Sequence, residues 1–185
     1  MIPKRTMHLG KYRGLEIRTA PSTIITAILT TSAIFLLLNK VFKLRPWTAV
    51  TGGILATTLH YLSDLWHQLG HARAAEQTGY PMKGMTFVGP LCFSVYPKNE
   101  GLLPAETHIQ RALGGPIFSL LLTLAFALAV LLMRFIGGLP LFLAVFTFLD
   151  NLLVFTIGAL FPLGFTDGST LLTWWNQRNS GRLSL

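Results

Sequence analysis

The chain has 185 residues, with 15 Lys+Arg against 7 Asp+Glu for a formal charge of +8. Charged residues are 12% and apolar residues 51% of the chain, and mean hydropathy is +0.54; the charged share is about half the roughly 25% usual in soluble domains. These totals exclude an ordinary soluble domain and a disordered tail, and a single cysteine, Cys92, excludes a disulfide framework or a CxxC zinc or redox site.

In chain order, the basic residues Lys4, Arg5, Lys11, Arg13 and Arg18 come first and read as a membrane-surface anchor. They do not open a signal peptide: the apolar run that follows is too long, and NKVFKLRPW after it has no small-residue cleavage site. Residues 19–39, 46–63 and 112–133 carry no charge, and 135–166 carry only Asp150. Crossing a bilayer takes about 20 mostly apolar residues. The pattern predicts four membrane helices, at 20–39, 46–77, 108–136 and 140–163, with Gly137, Gly138 and Pro140 turning between the last two. Between the second and third, MKGMTFVGPLCFSVYP predicts a β-hairpin over 80–98, broken at Gly89-Pro90 and lying in or dipping into the membrane. The fold class expected is an all-α integral membrane protein with that one hairpin. The division expected is 1–45 as basic N-terminus and first helix, 46–176 as the core, and 177–185 as a short cytoplasmic tail.

With the N-terminus inside, eleven Lys and Arg fall on inner segments and four on outer ones. The positive-inside rule then puts both termini in the cytoplasm. The lipid bilayer absorbs the charge, and nucleic acid is not needed as a partner. Trp174 and Trp175 read as an interfacial aromatic belt.

Ionisable residues within spans are costly and mark function by default. His67 and His71 are four apart on the second helix, one turn apart on one face, a spacing that lets two imidazoles hold one zinc ion. Pro162 and Gly164 break the fourth span just before Asp167-Gly168, which presents a carboxylate as a third ligand. Two His and one carboxylate leave a fourth position open, as in catalytic zinc sites. Asp64 precedes His67 by one turn and reads as a partner for a histidine N–H. His60 reads as an interhelical hydrogen bond, and Asp150, about 25 Å up the helix from Asp167, as a membrane carboxylate remote from the metal. A haem site is disfavoured: two histidines on one helix face cannot bind iron from opposite sides, and the one candidate partner on another helix, His108, lies at a helix end.

His67 and His71 continue into Ala72, Ala75 and Gly79, similar to the HExxHAxxAxxxG of the site-2 protease family of intramembrane zinc metalloproteases. Gly115-Pro116 resembles that family's GPxxN segment, and Pro162 followed by Asp167-Gly168 resembles its NxxPxxxLDG segment. The resemblance covers residues 46–176. It implies zinc held by His67, His71 and Asp167, a transmembrane protein as substrate cut near the cytoplasmic face, and substrate contacts at Gly115, Pro116 and Ser119. The family's general-base Glu falls at Gln68, its third-span Asn at Ser119, its fourth-span Asn near Ala159, and its second Gly at Ser169. Gln68 is nearly the size of Glu and is no base. The resemblance therefore implies either a metalloendopeptidase impaired at Gln68 or an inactive relative that binds zinc and membrane helices without cutting. Gln68 as a native residue and as an introduced substitution are equally consistent with the sequence.

Overall fold

The structure, a computed structural model, describes residues 5–182, with side chains as far as Arg178. Lys4 and residues 183–185 of the tail lie outside the described residues.

The first element corrects the sequence reading. The basic N-terminal stretch is a β-hairpin, β1 (Met7–Tyr12) and β2 (Leu15–Thr19). Arg13 and Gly14 both take positive φ, 49° and 86°, the backbone of a tight two-residue hairpin turn. Leu15 and Ile17 of β2 pack on a core of Ala75, Met82, Met85, Phe87 and Cys92. The expected hairpin follows as β3 (Gly84–Val88) and β4 (Leu91–Val95), turning at Gly89-Pro90. β2 runs parallel to β3, so one sheet forms in the order β1-β2-β3-β4. The description as all-α with a lone hairpin is thus replaced by a helical protein carrying a small four-stranded sheet.

Between β2 and β3 two helices make the crossover. α1 (Pro21–Leu36) runs on through wider π-type turns to Val41, and α2 spans Pro46–Gln77. Each begins with proline, whose missing N–H costs nothing in a first turn. α3 (Ala105–Met133) and α4 (Gly138–Asp150) follow, and α4 continues in π-type turns over Asn151–Gly158. A last helix, α5, spans Asp167–Arg182.

Among the described residues, three helical stretches are long and apolar enough to cross a membrane: Pro21–Val41, Ala105–Met133 and Gly138–Gly158. Four were expected. α2, at 32 residues, is about 48 Å long, but Asp64, His67, His71 and Arg73 dilute its apolar character. It lies at the centre, packed against α1, α3 and α4. Small residues let the backbones close in: a Cβ at Gly70 would strike the Gly114 carbonyl, and one at Gly114 the Gly70 carbonyl. The apolar side chains of the surrounding helices, among them Ile28, Leu121, Leu124, Leu128 and Leu153, are exposed, the arrangement of a membrane protein.

Candidate metal centre

His67 and His71 leave the buried face of α2, each 5% exposed. Their Nε2 atoms are 3.0 Å apart. Asp167, the first residue of α5, meets both: Oδ2 is 3.2 Å from His67 Nε2 and Oδ1 is 3.3 Å from His71 Nε2. The outer ring nitrogens are held elsewhere. His71 Nδ1–H donates to the Arg111 carbonyl at 2.8 Å, and His67 Nδ1 meets Ser119 Oγ at 2.9 Å. Those bonds orient both Nε2 atoms toward the carboxylate.

Asp167 reaches the histidines because the chain between α4 and α5 is tightly bent. Gly164 takes φ 89°, its amide donates to Ser169 Oγ at 2.7 Å, and Thr166 Oγ1 donates to the Phe161 carbonyl. A Cβ at Gly168 would strike the Leu160 carbonyl, so glycine after Asp167 lets the two helix ends meet. Ser169, a departure from the family pattern, is a bonding partner of this loop.

The donor set fits zinc. A tetrahedron with zinc bonds of about 2.0–2.1 Å has edges near 3.3–3.4 Å, against 3.0, 3.2 and 3.3 Å here. A Cβ at Gly115 would lie against the Nε2 of both His67 and His71; glycine there leaves the space that the ligand atoms face. Among the described residues, this trio is the group of three or more His, Cys, Asp or Glu placed to share one ion.

The other expected site residues fall as follows. Ser119, expected against substrate, is fully buried and bonded to His67. Gly115 and Pro116 are buried on α3, with Gly115 against the two imidazoles. Asp64, expected to hold a histidine N–H, does not: Ser119 and the Arg111 carbonyl fill those places, and Asp64 is buried with its Oδ2 lacking a hydrogen-bond partner among the described residues. Gln68 points to β4. Its Nε2 donates to the Cys92 carbonyl at 2.8 Å, and its Oε1 accepts from Ser94 at 2.7 Å. His60 pairs with Asp150 at 3.1 Å and also meets the Pro90 carbonyl at 2.8 Å, tying α2, α4 and the hairpin turn together. Trp174, expected in a membrane belt, instead lines the cavity and stacks on His108, ring centroids 3.8 Å apart.

A cavity of about 700 Å³ opens onto the trio, lined also by Gln68, β4 and the π-type segment of α4. Tyr96 on its wall has its phenol pushed up to about 12 by burial, so it remains a hydroxyl. Sequence reasoning missed Arg111. It is 4% exposed, clamps Glu100 through two bonds of 2.7 and 3.0 Å, and lies 4.2 Å over the Tyr96 ring. Its signal was a charge beside an uncharged apolar run, four positions before Gly115. The Arg111 side chain anchors the start of α3, and its carbonyl orients His71.

Ser119→Ala removes the partner of His67 Nδ1. The expected result is zinc affinity weakened by about 10–100-fold, measured by competition with a chelator of known affinity.

No protein-family model matches the sequence, and no curated protein matches it. Among solved structures, the chain is similar to a site-2 protease from Methanocaldococcus jannaschii, with 19% identity and a TM-score of 0.58. The likeness covers 91% of this chain and 70% of that one, a larger share of this chain than residues 46–176 would make. The two proteins share a fold.

Proposed function

We propose that this protein is an intramembrane zinc metalloendopeptidase by architecture, which grips a locally unwound transmembrane segment of another protein near the cytoplasmic face, and whose hydrolysis is impaired by Gln68. The observation that carries the reading is the meeting of His67, His71 and Asp167 at 3.0–3.3 Å beside a cavity walled by a strand edge. α2 serves as a fourth span in this reading, with its polar face covered by α1, α3 and α4.

His67, His71 and Asp167 hold the metal. Zinc supplies a Lewis acid that polarises a carbonyl and acidifies a water. Ser119 and the Arg111 carbonyl keep both imidazoles in register. β4 is the outer strand of the sheet, so an extended peptide can add to it by backbone pairing. Gln68 stands where a proton acceptor belongs and its amide accepts no proton at neutral pH.

A second reading is a chain that binds zinc and membrane helices without cutting. It is favoured by the fit of the Gln68 amide to the Cys92 carbonyl and the Ser94 hydroxyl, which marks Gln as the residue this pocket accommodates.

Metal analysis of the purified protein tests both. About one zinc per chain is expected, falling to a small fraction in His71→Ala. If the native chain holds no zinc under conditions where it remains folded, the metalloprotease reading and the zinc-binding relative fall together.

A further inference from the structure

The outer edge of β4 is not free along its length. The Phe87 carbonyl accepts the Ala20 amide at 2.8 Å, so Phe87 of β3 faces β2. Its antiparallel partner Cys92 therefore turns its own N–H and C=O away from β3. By alternation Ser94 does the same. At Cys92 the outward carbonyl meets α2: it accepts Gln68 Nε2–H at 2.8 Å. A backbone carbonyl only accepts, so the side chain that reaches it has to donate. Gln does so; a carboxylate does not.

We infer that Gln68 caps the outward carbonyl of Cys92 as an added strand would, closing the β4 edge there and leaving it open to an extended peptide from Ser94 onward. The consequence for peptide binding rests on the strand-addition reading above; the closure itself does not. The Ser94 hydroxyl, 2.7 Å from Gln68 Oε1, fixes the amide so that Nε2 faces Cys92. A peptide that pairs as far as Cys92 has to displace Gln68, which makes Gln68 a positioning residue for the register of the bound strand.

Cys92 is the only cysteine of the chain and is 6% exposed, so its thiol reports on this contact. The experiment measures the rate of N-ethylmaleimide labelling of the full chain in lipid nanodiscs. Gln68→Leu and Gln68→Glu are expected to label about ten- to a hundredfold faster than the native chain, as the edge opens. Ser94→Ala removes only the locking bond and is expected to label a few-fold faster. It decides the matter if a Gln68 variant does not fold. Equal rates in the native chain, Gln68→Leu and Ser94→Ala overturn the closure. A synthetic apolar peptide of about 25 residues with a central Asn-Gly break is then added. Slower labelling of Gln68→Leu in its presence supports both closure and strand addition. Fast labelling that the peptide leaves unchanged upholds the closure and removes the strand-addition reading.

Discussion

Gln68→Glu, reconstituted in lipid with zinc, is expected to cleave a single-span reporter protein about 10²–10⁴-fold faster than the chain with Gln68. The side chain sits next to His67 on α2, and the two residues differ by one functional group. At about 1.4 kcal/mol per decade, a positioned base lowers the barrier by roughly 3–5 kcal/mol. The substitution also changes the contact with β4. A Glu carboxylate is repelled by the Cys92 carbonyl that Gln68 now binds, while it still accepts from Ser94. Both effects act in one direction: the new group can accept a proton, and the strand edge at Cys92 is opened for a peptide. Quantifying product by gel over several hours checks this. Should zinc be bound and neither form cut any of a panel of reporters, the reading without catalysis stands.

Gly115→Ala is expected to empty the metal site although it adds one methyl group. The new Cβ would lie against Nε2 of both His67 and His71. Neither ring has an easy retreat, because His71 is held by the Arg111 carbonyl and His67 by Ser119. Backing helix α3 away would break the close Gly70–Gly114 packing of the two backbones. Displaced ligands weaken zinc by more than the 10–100-fold expected when an orienting partner is lost. Metal analysis after dialysis against a weak chelator reads the outcome. Full zinc retention in Gly115→Ala removes the claim that the ligand atoms face the space beside Gly115.

The two substitutions separate binding from chemistry. Gly115→Ala removes metal and leaves Gln68 in place; Gln68→Glu changes the proton acceptor and leaves all three ligands. Ser119→Ala lies between them, with metal weakened and the ligands intact. Their order of zinc content is expected to be Gln68→Glu, then Ser119→Ala, then Gly115→Ala.

The sequence by itself determined where the helices lie and which ionisable residues they carry. Long uncharged runs have little choice but to form helices in a bilayer, and α2 spans Pro46–Gln77, the interval expected from its apolar start and polar end. The four-residue spacing of His67 and His71 is a local property of one helix. The Pro162–Gly164 break is a local property of backbone sterics. What the tertiary structure decided is everything that depends on two distant segments meeting. The N-terminal hairpin was hidden because its Arg-Gly turn lies among basic residues that read as a membrane anchor, and because β2 is stabilised by β3, 65 residues away or more. Ser119, Arg111 and Gln68 could be named from the sequence, yet their partners could not. A hydrogen bond to a backbone carbonyl leaves no trace in residue type. Only the packing of α3 and β4 on α2 revealed that Ser119 and the Arg111 carbonyl orient the histidines, that Asp64 does not, and that Gln68 belongs to the strand.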